Sequence, residues 1–141
     1  MTRTFIARGA ALVVLAWSLS PSVHAQYEGW TIPGTAKVEK SPFAGVADAV
    51  RKGKSVYQSK CQRCHGTEGK GNGPEADKQK PPADLTAVKA DVNPEGVLFY
   101  KVWNGRTGNN KGDMPAFKVQ LPKDDVWRAV EYVKTLRRTG T

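Results

Sequence analysis

Apolar positions recur at helical spacing in three places along this chain, and no stretch alternates convincingly as a strand would. Val46, Val50, Gly53, Tyr57 and Cys61 follow one another at intervals of three and four. They share one face of a helix over about 46–60, with Arg51, Lys52 and Lys54 pointing elsewhere. Gly53 in mid-helix costs about 1 kcal/mol relative to alanine, so its presence predicts the close approach of a second helix. The next helix has a marked start: Asn93 reads as its N-cap, Pro94 as its first residue and Glu95 as a first-turn acid. It continues through "GVLFYKVW" and stops at Asn104-Gly105. The last begins near Lys123-Asp124 and runs to about Arg137. Val126, Ala129, Val130, Val133 and Leu136 form its apolar stripe, flanked by Trp127 and Tyr132. Lys134, Arg137 and Arg138 suit its negative C-terminal end.

The intervening segments are punctuated rather than periodic. Gly66, Gly69, Gly71, Gly73, Pro74, Pro81 and Pro82 mark residues 66–93 as loop, and residues 106–121 form a second loop rich in Gly, Asn and Pro. The expected fold class is therefore all-α, three main helices joined by long loops. Loops of that length in a compact domain usually surround something or perform something.

The start of the chain reads as an export signal. Arg3 and Arg8 precede an apolar core from Ala10 to Leu19, and Val23-His24-Ala25 offers small residues at −3 and −1 of a cleavage site. The expected organisation is a signal peptide over 1–25, an N-terminal extension over 26–45 and a main domain over 46–141. An uncleaved N-terminal anchor is the alternative. After cleavage nothing would span a membrane, and the expected location is the periplasm. The extension reads either as a solvated tether or, through Trp30 and Ile32, as a strap packed on the core.

Charge and residue inventory then narrow the chemistry. Residues 1–25 hold two of the 22 basic residues and none of the 13 acidic ones, leaving 20 against 13, a balance of +7. They also contain Met1 and His24, so the remainder has one histidine, His65, and one methionine, Met114. A domain of this size buries a modest share of its surface and often needs a metal, disulfide or cofactor to complete its core.

Both cysteines lie in Cys61-Gln62-Arg63-Cys64-His65, the C-x-x-C-H arrangement of c-type haem attachment. Two thiols three residues apart at a helix end can reach the two vinyl groups of a porphyrin, while the adjacent His65 directs a ring nitrogen at the iron. A redox disulfide would want a βαβ setting that this pattern lacks, and structural zinc wants four N or S ligands. A second axial ligand is sought in the inventory, and Met114, in "GDMPAF" 49 residues after His65, offers the soft sulfur. A packing role for Met114, with an open sixth position or a lysine ligand, is the competing reading.

Taken together, Gly53-x-x-x-Tyr57-x-x-x-Cys61, Cys61-x-x-Cys64-His65-Gly66, Gly73-Pro74, "PPADLT" and "MPAF" resemble a monohaem class I cytochrome c of the bacterial type over roughly residues 46–138. The resemblance implies a cytochrome c fold wrapped around one covalently bound haem c. It also implies that the first main helix crosses the last near Gly53 with Tyr57 and Tyr132 at the contact, and that the Pro74 carbonyl accepts a hydrogen bond from His65. Val97, Leu98, Trp103 and Phe117 read individually as core packing, with the apolar wall of the haem as the functional alternative. The implied role is an electron carrier, not an enzyme. Its partners would be redox proteins: a dehydrogenase or quinol-oxidising complex on one side, a terminal oxidase or reductase on the other. A haem c subunit of a larger oxidoreductase, and a haem enzyme or gas sensor with an open iron, are the alternatives. Lys60, Lys70, Arg106, Lys111 and Lys118 are candidates for a basic ring that steers the protein to acidic docking surfaces; the exported location argues against nucleic acid as the partner.

Overall fold

The computed structural model describes residues 30–87, 93–106 and 113–137; the expected signal peptide, Lys111 and Arg138 lie outside them. Among the described residues five helices follow in order: α1 (Gly34–Val38), α2 (Ala47–Lys60), α3 (Gln62–His65), α4 (Glu95–Asn104) and α5 (Lys123–Leu136). Among the described residues there is no strand. The three long helices stand where the apolar spacing predicts them. The two short ones carry no periodic signal, because a single turn is too brief to show one.

The crossing of α2 and α5 organises the domain. A methyl group on Gly53 would fall on the Arg128 carbonyl and lie 3.1 Å from the Ala129 amide nitrogen; only a hydrogen fits between the two backbones. One turn further on, the rings of Tyr57 and Tyr132 meet at 5.2 Å. The Tyr57 hydroxyl is fully buried and donates to the Gly66 carbonyl at 2.7 Å, which ties α2 to the chain just beyond His65. Burial raises the pKa of that phenol, so it stays a donor. Around this crossing Leu98, Phe99, Phe117, Val126, Trp127, Val130 and Val133 complete the core. Phe99 and Trp127 stack at 4.1 Å and join α4 to α5.

The start of α4 differs from its sequence signature. Pro94 occupies the N-cap position, and Asn93 sits one place earlier, 1 % exposed, its Oδ1 accepting from Lys101 Nζ at 2.7 Å. The Asn93 carbonyl accepts from Arg137 Nη2 at 2.9 Å. Asn93 therefore serves as a junction between α4 and the end of α5. A further knot of charge lies nearby: Lys134 on α5 donates to Glu95 at 2.6 Å and to Glu131 at 2.9 Å. Glu131 is only 4 % exposed, a buried carboxylate made tolerable by that pairing.

The extension, over its described part, is a strap rather than a free tether. Ala36 of α1 is buried against α4, Ser41 is buried and donates its backbone N–H to Glu95 Oε1 at 3.1 Å, and Phe43 packs on the core beneath Arg128.

Lys101 yields a test of this corner of the fold. Burial, and then the neighbouring Arg137 charge, lower its pKa from 10.5 to about 8. An unfolded lysine keeps its proton to about 10.4. Between those values the unfolded chain binds more protons than the folded one, so this residue makes stability rise as the pH climbs from 8 to about 10. The unfolding midpoint of the native protein should accordingly gain on that of Lys101→Met over this window. A pH-independent difference between the two would refute the assignment.

Candidate functional site

The turn that carries the cysteines is built by its surroundings. At the end of α2 the chain closes one bond to Tyr57 O through the Cys61 N–H and re-enters helix as α3. The glycine-rich loop then folds back and caps the carbonyls of that short helix: Gly71 N–H donates to His65 O at 2.8 Å and Gly73 N–H to Cys64 O at 3.0 Å. Leu85 N–H donates to Gly69 O at 2.7 Å, so the "PPADLT" segment is drawn beside the same turn. Long loops thus act as scaffolding.

Cys61, Cys64, His65 and Met114 border one cavity of about 420 Å³. That Met114 meets the cysteine turn across the 49 positions that separate it from His65 is the central feature of the site. Cys61 and Cys64 form no disulfide with each other. Burial, with the neighbouring Cys64 adding to it, pushes the Cys61 thiol up to about 12. His65 Nδ1 lies 3.1 Å from the Ala83 carbonyl. A carbonyl only accepts, so Nδ1 carries the proton and Nε2 keeps its lone pair, the tautomer a metal requires. Burial lowers the His65 pKa while the bond to Ala83 opposes that shift; burial therefore favours the neutral ring.

This partner corrects the expectation for Pro74. The bond goes to Ala83, and Pro74 lies elsewhere, with Gln62, Gly66, Thr67 and Asn72 around a separate shallow depression. The physical reason is the backward fold of the glycine loop, which sends Gly73-Pro74 past the Arg63 carbonyl and leaves Pro81, Pro82 and Ala83 on the cavity side.

Met114 is held by its backbone from two sides. Its carbonyl accepts from Arg106 N–H at 2.9 Å, and Phe117 and Lys118 donate to the Val102 and Trp103 carbonyls at the end of α4. The preceding Asp113, with a side chain 9 % exposed, pairs with Lys80 Nζ at 2.9 Å and Arg106 Nε at 3.3 Å. Asp113 and Lys80 join the methionine loop to the segment that orients His65. Neither was singled out by sequence reasoning, since no local spacing links positions 33 residues apart.

Of the four candidate wall residues, only Phe117 borders the cavity; Val97, Leu98 and Trp103 belong to the packing around α4. The basic ring is also corrected. Lys60 and Arg106 stand at the cavity as expected and Arg63 joins them, but Glu75, Asp77 and Asp113 stand there too. Three cations face three carboxylates, so the described rim is mixed. Lys70 pairs with Glu68 at 2.6 Å on the exposed loop, and Lys118 is exposed.

The donor set fits a c-type haem: two thiols, a neutral imidazole and a thioether around one space, with Phe117 and prolines as apolar lining. No described helix is long and apolar enough to cross a membrane. Residues 48–133 match the family described as cytochrome c oxidase, cbb3-type, subunit III. Among solved structures, the chain is similar to one from the reducing HAO-like protein complex Kustc0457/Kustc0458 of Kuenenia stuttgartiensis. The two share 28 % identity with a TM-score of 0.52, over 79 % of this chain and 54 % of that one. This chain thus accounts for about half the length of that relative. No curated protein matches it. The all-α architecture and the match over 48–133 agree, and the chain belongs to this family as a monohaem class I c-type cytochrome, a haem-based electron-transfer protein.

Proposed function

We propose that the protein carries single electrons through one haem c attached to Cys61 and Cys64, with His65 and Met114 as axial ligands, between periplasmic or membrane redox partners. The observation that carries this reading is the convergence of those four side chains on one cavity. When bound, the haem supplies an iron that cycles between two oxidation states, at a potential that a His/Met ligand pair raises. The chain's own residues do the rest. Ala83 fixes the His65 ring, Arg106 and Asp113 fix the methionine loop, and Phe117 with Pro82 keeps part of the lining apolar. A haem held by both His65 and Met114 would have no free position on its iron, so a small molecule could bind there only by displacing a ligand.

The absorption spectrum of the oxidised holoprotein tests the ligand pair. A weak far-red charge-transfer band is expected, and Met114→Ala should lose it while gaining carbon monoxide binding in the reduced state. Native protein that lacks the band and binds carbon monoxide readily would favour an open-iron enzyme or sensor instead.

A second reading has its own support. The family description names a subunit, and the similar structure comes from a protein complex. Under that reading the protein is a haem c subunit of a larger oxidoreductase, and it should migrate with a partner on native size-exclusion chromatography instead of as a monomer.

A further inference from the structure

The strap lies ahead of the residues that match the family, which begin at 48, yet it reaches the site. Its anchors are specific. Gly96 on α4 lets the strap come close: a methyl group there would fall on the Ala36 carbonyl and within 2.7 Å of the Glu39 carbonyl. Ala36 is 2 % exposed and Ser41 is 7 % exposed. The Ser41 N–H is satisfied by Glu95, whose other oxygen holds Lys134 of α5. The strap is thus fastened through one carboxylate to both helices that flank it. From these anchors the chain runs back toward Trp30, which borders the same cavity as Cys61, Cys64, His65 and Met114. The Trp30 ring is supported from α4 by the Lys101 ammonium, 5.4 Å from its centroid, a cation–π separation.

An indole is the largest apolar surface a side chain can offer. At a rim that otherwise presents Lys60, Arg63, Arg106, Glu75, Asp77 and Asp113, it is, among the described residues, the one large aromatic contributed from outside the family-matched segment. We propose that Trp30 is a wall residue of the electron-transfer site: the strap holds it against the rim of the haem cavity, where it limits the access of water and small ligands to the iron. The inference rests on the reading that a haem fills this cavity. It adds that a segment foreign to the matched family domain has been recruited to complete the site. Two physical consequences follow. Water admitted at the rim stabilises the more highly charged oxidised state, so loss of the wall lowers the reduction potential. A wider rim also shortens the path for an external ligand.

The experiment compares the oxidised holoprotein with Trp30→Ala, Trp30→Phe, Ala36→Leu and, as a control on the strap's exposed side, Val38→Ala. Val38 is 73 % exposed. Imidazole association, followed by the Soret shift, is expected to be several-fold faster in Trp30→Ala and unchanged in Val38→Ala, with Trp30→Phe close to native. Spectroelectrochemistry should place the potential of Trp30→Ala below the native value. Ala36→Leu keeps the indole but wedges the strap off Gly96, and should shift both quantities in the same direction. Equal imidazole rates and equal potentials for Trp30→Ala and native protein would overturn the proposal, whatever their unfolding midpoints. The far-red band reports separately on Met114: its absence from native protein would sink the ligand assignment, while the ratio of imidazole rates would still decide for or against the wall.

Discussion

A chain in which Cys61 and Cys64 are both serine is expected to lose all covalently held haem and most of its helical structure. Native protein should give a peroxidase-active band on a denaturing gel and a mass above that of the polypeptide alone; the double variant should give neither. The loss of fold follows from the size of the space that Cys61, Cys64, His65 and Met114 border. Leaving a cavity empty costs about 24 cal/mol per Å³, so about 420 Å³ corresponds to at most on the order of 10 kcal/mol, water entry lowering it. Domains of this size have total stabilities of about 5–15 kcal/mol. An unfilled site therefore sets a cost whose ceiling is comparable to the whole margin. Far-UV circular dichroism of the variant should show a chain largely without helix. A serine variant that melts cooperatively at the native temperature would contradict this account, as would native protein with the mass of the bare chain.

Gly53→Ala is expected to destabilise the fold even though it raises the helix propensity of α2. Two effects compete. Alanine stabilises the interior of α2 by about 1 kcal/mol through its higher helix propensity. Its methyl group would, however, fall on the Arg128 carbonyl, a backbone atom that yields only if α5 moves. Overpacking typically costs about 1–3 kcal/mol and sometimes more, and a rigid backbone neighbour places this case at the upper end. The net loss should be about 2 kcal/mol, or a fall of roughly 10 °C in midpoint for a domain near 100 residues. Gly34→Ala is the control: nothing lies within 4 Å of its added methyl group, and its midpoint should stay at the native value. Were Gly53→Ala to melt at or above the native temperature, the helix crossing would have to be looser than described here. Because Tyr57 lies one turn away and bonds to Gly66, a shifted crossing should also disturb the turn that carries His65.

The amino-acid sequence determined the parts of this protein whose chemistry is local. Helical spacing fixed α2, α4 and α5 to within a residue or two, because apolar faces repeat within a single helix. Cys61, Cys64 and His65 could be singled out as candidates because five consecutive residues carry the attachment pattern, and Met114 because it is the one methionine beyond residue 1. Tertiary structure decided whatever depends on residues far apart in sequence meeting in space. It assigned His65 to Ala83 and not Pro74, since the path of a glycine-rich loop is set by its many contacts and by no short motif. It placed Lys80 against Asp113, mixed acids into a rim expected to be basic, and turned an extension without periodicity into a strap that reaches the cavity bordered by Cys61, Cys64, His65 and Met114.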